Sequence, residues 1–274
     1  MPPKPIRRNS KTQKKSPFYR SKKLLFYAII AVSAIFLYTK RDALAYYLSF
    51  KTDRNPFETR QAKLSDVINA HNEKSFGIDI SEYQNRINWD ILSDLETGHP
   101  IEFVFIRATA GCNKTDRKFS KYWQKARETN MFQGAYHYYR PNENSIEQAN
   151  NYIKTVKLKR GDFPPVLDIE KLPRDQSIDS LKIGLKRWLE KIENHYGVKP
   201  IIYSSESYYN DFLKDDFSDY PFWIANYTAF YREIDSDWSI WQISENAKIE
   251  GIRGRVDINV FNGNSKDLKA LLMK

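Results

Sequence analysis

From Phe76 onward the chain alternates short apolar runs with helical patterns, and this constrains its fold more than any other feature. FGIDIS (76–81), IEFVFIRAT (101–109), FQGAYHYY (132–139) and PPVLDIE (164–170) read as four strands. PIIYSS (200–205), FWIANY (222–227), WSIWQIS (238–244) and RVDINVF (255–261) read as four more. Runs this rich in Val, Ile and Phe suit parallel strands buried on both faces by helices. Between them, Ser145 and Gln148 form an S-x-x-Q capping-box pattern, followed by Ile146, Ala149, Ile153 and Val156 at helical spacing. A second helix sets Leu181, Leu185, Trp188, Leu189, Ile192 and Tyr196 on one face and stops at Gly197. The later connections are shorter and leave less room for full helices. Eight strands with early crossover helices predict an α/β fold, an irregular (β/α) TIM-like barrel over 76–274. An open doubly wound sheet is the alternative, but no glycine-rich phosphate loop follows the first strand.

The acids fall at telling places. Asp79 lies in the first strand, Asp168 and Glu170 end the fourth, and Asp257 lies in the last. A carboxylate in an apolar strand is costly to bury and needs a partner or a task. In a parallel barrel the C-terminal strand ends form the catalytic mouth. Asp168 and Glu170, two residues apart, project to one face. Carboxyls that close raise each other's proton affinity, so one can stay protonated near neutral pH. That suits acid-catalysed glycosidic cleavage, which needs a proton donor beside an anion. Structural carboxylates held by arginine or backbone donors, and a divalent-cation site, are the other readings of the same residues.

Charge and cysteine content narrow the partners. Of the 44 Lys and Arg, eleven lie in residues 1–41, which hold no Asp or Glu; the remaining 33 face 34 acids. The excess of +10 therefore belongs to the leader rather than to a folded nucleic-acid surface, and a nucleic-acid partner is not expected. The single Cys112 forms no internal disulfide or multi-thiolate site, and is expected to be an inert thiol rather than a nucleophile. His71, His99, His137 and His195 show no close-spaced pair, so neither a metal nor another cofactor is expected. The aromatic content of 15% fits either sugar stacking or an aromatic core.

The leader carries a membrane signal. Residues 24–39, LLFYAIIAVSAIFLYT, are uncharged, with basic residues before them and Lys40-Arg41 behind. The run is slightly short for a span, which usually takes about 20 residues, and flanking lysines lengthen it by snorkelling. The basic side stays cytoplasmic. The expected organisation is a basic cytoplasmic leader (1–23), a transmembrane signal-anchor helix (24–40), a juxtamembrane spacer (41–75) with a possible helix near 61–70, and an exported barrel (76–274). Cleavage near Ala43-Leu44-Ala45 with secretion is the alternative.

Taken in order, GIDIS-x-Y-Q-x-x-I-N-W (77–89), FVFIRAT-x-G (103–111), GAYHYYRP (134–141), Gln148-Ala149, PPVLDIE, IIYSS (201–205), WIANY (223–227), IWQIS (240–244) and VDINVF (256–261) resemble the family 25 lysozymes. The resemblance runs from Phe76 to Gly263. It implies a (β/α) barrel that hydrolyses the β-1,4 bond between N-acetylmuramic acid and N-acetylglucosamine in peptidoglycan; a monomer without a cofactor is expected. It implies that Glu170 is the general acid/base. Asp168 would orient the substrate's 2-acetamido group and stabilise an oxazolinium-like intermediate, with Asp79 and Asp257 as supporting acids. It places Tyr136 in the active site, with Tyr203, Trp223, Asn226 and Gln242 as groove-lining candidates. The chain departs from the family where R-A-T-E-G becomes R-A-T-A-G, with Ala110 before Gly111. That departure and the anchor motivate one rival, a non-catalytic peptidoglycan-binding module; a metal-dependent phosphodiesterase is another.

Overall fold

The computed structural model describes residues 64–84, 86–227, 234 and 237–274, together with 27, 30–33 and 38 of the leader. Met1–Leu48 and Ser49–Lys274 form separate units, and the account below concerns the second. Among the described residues no helix is long and apolar enough to cross a membrane. The apolar run 24–39, the expected transmembrane helix, lies largely outside them.

All eight expected strands form. They are β1 (Phe76–Ile80), β2 (Ile101–Ala110), β4 (Phe132–Tyr138), β5 (Val166–Asp168), β6 (Ile201–Ser205), β7 (Phe222–Ala225), β8 (Ile240–Ala247) and β9 (Val256–Phe261), with a two-residue β3 (Lys114–Thr115) hairpinned onto β2. The order β1-β9-β8-β7-β6-β5-β4-β2 closes through a β1–β2 pairing, so the sheet is a barrel. From β1 through β8 the barrel neighbours run parallel. The last strand corrects the all-parallel expectation, because β9 is antiparallel to both β8 and β1. Its connection from β8 is too short for a crossover, which takes a dozen or more residues, so the chain turns back as a hairpin.

Along each strand, alternate residues point into the barrel. Phe103 and Phe105 on β2, Val166 on β5, Ile201 on β6, Trp223 on β7, Ile240 on β8 and Phe261 on β9 fill it with Phe163. Phe105 stacks on Trp223 at 4.6 Å and tilts against Phe163 at 4.7 Å. Room for these rings comes from glycine: a Cβ on Gly77 or Gly134 would lie 2.2 Å from the ring of Phe103 or Phe105. Much of the aromatic surplus is therefore packing, not sugar contact.

The helices are α1 (Leu64–Ala70), α2 (Phe119–Arg127), α3 (Ser145–Thr155), α4 (Ile178–Tyr196), a short α5 (Glu206–Tyr208) that runs into a π turn (Tyr209–Leu213), and α6 (Ser265–Leu271). Helix α4 buries the expected face from Leu181 to Ile192, and Gly197 ends it at φ 71°. Helix α3 departs from the capping-box reading. Asn144 is its N-cap and accepts from the amides of Ile146 and Glu147. Gln148 turns inward, where its Oε1 accepts from Arg140 N (2.9 Å) and meets His137 Nε2 (3.1 Å). Ile146 is consequently exposed and Tyr152 takes the buried face. Helix α1 lies in the stretch read as spacer; Val67 and Ile68 are buried, and His71 packs edge-on to Trp241 at 5.7 Å. At the base of the barrel α6 inserts Leu268, followed by Leu272, into the same core.

Candidate active site

The reversed last strand decides where the acids meet. Asp257 stands near the start of β9, and β9 runs opposite to its neighbours, so this start reaches the mouth where the other strands end. Asp257 and Asp79 are direct partners in the β1–β9 register. In the closed ring, β5 lies across the barrel from β9, so Asp168 and Glu170 approach the same mouth from the far side.

Asp79 anchors the floor. It is buried, and its Oδ2 accepts from Gln242 Nε2 (2.7 Å) and Asn259 Nδ2 (2.9 Å). Each carboxamide is oriented by its other end. The hydroxyls of Tyr203 (2.8 Å) and Tyr227 (2.6 Å) donate to Gln242 Oε1, and Trp223 Nε1 donates to Asn259 Oδ1 (2.8 Å). With both oxygens occupied as acceptors, both NH2 groups are left to face Asp79. Burial raises the Asp79 carboxyl, while its bonds from Asn259, Gln242 and Asp257 hold it back. Burial, and then the negative charge of Asp79, push Asp257 up to about 9. Asp257 thus keeps its proton and donates it to Asp79.

Across the mouth, burial and then the charge of Glu170 raise Asp168 well above the carboxylate range. Glu170 is also raised, chiefly by burial, while the hydrogen bond from Asp168 holds it back and its side chain still reaches solvent at the rim. The two carboxyls share a hydrogen bond, and with it a proton. Strand β5 ends at Asp168, but Glu170 is still held in place. Tyr139 N donates to Asp168 O, and Ile169 bonds β6 through Tyr203 O (3.0 Å) and Ser204 Oγ (2.6 Å). Asp168 Oδ1 is buried without a hydrogen-bond partner, an acceptor left for something outside the chain.

The expected groove residues divide. Tyr136 and Tyr203 are half-buried between the core and the acids, and burial keeps both hydroxyls protonated. Gln242 is buried and serves Asp79. Trp223 does not line a groove: it is 2% exposed and forms part of the floor. Asn226 serves as a joint, donating to Glu206 and to Gln242 O while its own carbonyl accepts from Trp241 Nε1 (2.9 Å). Three residues were missed. Asn259 follows Asp257 at a spacing of two, so strand alternation alone sets it on the same inward face. Arg107 likewise continues the inward series of Phe103 and Phe105. Tyr227, just beyond β7, carried no signal of its own.

Ala110 is buried at the end of β2, and a different carboxylate holds the turn that follows. Glu143 accepts from Cys112 N (2.6 Å) and pairs with Arg140 (3.0 Å). Burial and then Glu143 push the Cys112 thiol up to about 11, far from the thiolate a nucleophile requires. His137 is core: burial lowers it to about 4, and it bonds Thr109 Oγ1 at 2.7 Å. Among the described residues no group of three His, Cys, Asp or Glu is arranged to hold a metal ion.

A barrel with acids from its first, fifth and ninth strands around one mouth now stands beside its relatives. The model of Glycosyl hydrolases family 25 matches residues 78–252. The chain belongs to this family. It is 40% identical over 200 residues to the protein YegX of Escherichia coli K12, covering 72% of each chain. It is 29% identical over 210 residues to Lysozyme M1 of Streptomyces globisporus, covering 71% of this chain and 70% of that one. Among solved structures, a family 25 glycosyl hydrolase from Bacillus anthracis superposes with a TM-score of 0.66 at 28% identity, covering 74% of this chain and 95% of the other.

The Asp257 geometry predicts a pH signature. A carboxyl raised in the fold stays protonated there after the unfolded chain has lost its proton. Stability therefore falls as pH rises from 3.8 towards 9. Asp257→Asn keeps a donor to Asp79 and removes the titration. Thermal melts should show the variant gaining on the parent at pH 8 more than at pH 5, with activity reduced. An equal loss of melting temperature in both proteins between those pH values would refute it.

Proposed function

We propose that this chain is a peptidoglycan muramidase that hydrolyses the β-1,4 bond between N-acetylmuramic acid and N-acetylglucosamine. Family membership supports the reaction class, and Lysozyme M1 supports the substrate. The observation that carries the reading is the Asp168–Glu170 pair, one carboxyl buried with an open acceptor and the other at the rim.

The mechanism we assign is retaining and substrate-assisted. Glu170 gives its proton to the bridging oxygen as the C1–O bond breaks, and the 2-acetamido oxygen closes on C1. Asp168 accepts the acetamido N–H on its unpartnered Oδ1. That contact favours the ionised form of Asp168 and leaves the shared proton on Glu170. Glu170, now anionic, takes a proton from the water that opens the oxazolinium ring. The hydrogen bond between the carboxyls leaves no room for an attacking water between them, which an inverting pair requires. Asp257 and Asp79 fix the polar floor through Gln242 and Asn259. A binding module without turnover has no use for a raised proton donor at the rim, so hydrolysis is the better reading.

The basic leader and apolar run 24–39 support the second part of the proposal, an uncleaved signal-anchor with the barrel outside the cytoplasmic membrane. One experiment addresses both parts. Washed membranes from cells producing the protein are incubated with purified sacculi, and the products are read by mass spectrometry. Muropeptides ending in reducing N-acetylmuramic acid are expected. Reducing N-acetylglucosamine ends would overturn the bond assignment, and activity confined to the soluble fraction would overturn the anchor.

A further inference from the structure

We infer that Tyr83 is a sugar-stacking platform on the rim of the cleft, with Arg107 as the positioning residue that holds its ring from beneath. This deepens the muramidase reading and rests on it. Tyr83 sits in a 3-10 turn, Glu82–Gln84, that follows β1 at the mouth. Its side chain is 69% exposed, unusual for an aromatic ring tied down on its other side. The guanidinium carbon of Arg107 lies 4.7 Å from the ring centroid, so one face is covered and the other is open.

The support under that ring is rigid. Arg107 Nε donates to Asp116 Oδ2 at 3.1 Å, and its Nη2 lies 3.6 Å from Glu82 Oε1. Both carboxylates are buried. Glu82 is fixed in turn by Lys114 (3.0 Å) and Arg117 (2.8 Å), which hold its carboxyl down at about 2, so the support keeps its charge at neutral pH. The turn is pinned as well: Glu82 N donates to Asp116 Oδ2 (2.9 Å), Ser81 N to Gln84 Oε1 (2.7 Å) and Gln84 Nε2 to Arg255 O (3.2 Å). An aromatic plane already fixed in place loses little conformational freedom when a ligand lies on it.

Placement identifies the ligand class. Arg107 follows Phe103 and Phe105 on the inward face of β2, and its charge is felt by Asp168 and Tyr136. Arg107 therefore touches the Tyr83 ring and bears electrostatically on Asp168. Across the ring of strands, β7 lies opposite β2, and Tyr227 stands just beyond its end. The mouth thus has an aromatic on each flank. A β-linked pyranose offers a flat C–H face of matching shape, so the ligand is a hexosamine ring of the same strand that reaches Glu170.

The test uses the full-length protein in a Glu170→Gln background, so that binding is read without turnover. Cosedimentation with purified sacculi should show Tyr83→Ala weakening the dissociation constant about tenfold, close to 1.4 kcal/mol. Tyr83→Phe, which keeps the ring, should recover most of that affinity. With Glu170 restored, the Tyr83→Ala loss should fall on KM more than on kcat. Unchanged binding for Tyr83→Ala, or Tyr83→Phe as weak as Tyr83→Ala, overturns the platform. Binding lost through Tyr83→Ala, in a protein whose unmutated form releases no muropeptide, leaves the platform standing and removes the hydrolase. An unmutated protein that does not sediment with sacculi removes both.

Discussion

Replacing Glu170 with Gln should lower the rate of glycan cleavage by a factor of about 10² to 10⁴, the usual contribution of a positioned acid/base, while the protein stays folded. The amide matches the carboxyl in shape but has no proton to give the leaving oxygen and cannot take one from water. Glu170 reaches solvent beyond the end of β5, so the exchange leaves no buried group stranded. Circular dichroism and the melting temperature should match the parent, and reducing-sugar release from sacculi should nearly vanish. In the parent, cleavage should fall as pH rises through the raised titration of the shared pair, because the donor form disappears. Turnover by Glu170→Gln within a factor of a few of the parent would mean that another group is the proton donor. Equal silence from the parent would favour the binding module.

Phe105→Ala should destabilise the barrel by about 3–5 kcal/mol, a large part of the roughly 5–15 kcal/mol that holds a domain together. Phe105 is fully buried at the centre of the barrel, against Trp223, Phe163 and Phe103, and directly over Gly134. No neighbour can collapse into the space without leaving its own strand. A domain of this size should lose on the order of 10 °C in melting temperature. The effect also reaches the chemistry. Trp223 loses the ring it stacks on, and its Nε1 orients Asn259 towards Asp79. Activity measured well below the new melting point should therefore drop too. Phe105→Leu, which refills most of the volume, should recover much of both. A melting temperature within a degree or two of the parent would show that Phe105 is not a principal filler of the barrel.

Most of the barrel was legible because its signals are local. Apolar runs mark strands, Gly197 marks a helix end, and an acid in an apolar run marks a mouth. The direction of β9 was less visible, since a strand's pattern reads the same both ways. Only the short link between Ala247 and Val256 carried that information, through the length a crossover needs. Depth was also hidden. Trp223 and Gln242 both point inward, but whether a residue is core or cleft depends on how far up the barrel its strand has run, and register sets that. Asn144 and Gln148 show a further limit. Asn144 and the neighbouring Ser145 both suit a cap, and the partners that draw Gln148 inward, the His137 ring and the Arg140 backbone, come from elsewhere in the chain. Arg107 was in view within FVFIRAT, and counting by twos from Phe103 would have put it beside the acids.

The reversal of β9 has a mechanical consequence. Because the final strand runs back, the polypeptide enters and leaves the barrel at the same end, stitched there by Ser75 N to Gly263 O (3.0 Å) and Phe261 N to Ser75 O (2.8 Å). A pull on the chain ahead of Ser75 is shared between β1, which follows it directly, and β9, reached through this seam. The pole that carries Glu170 is the opposite one, so a load at this seam enters the barrel at the end away from that carboxyl.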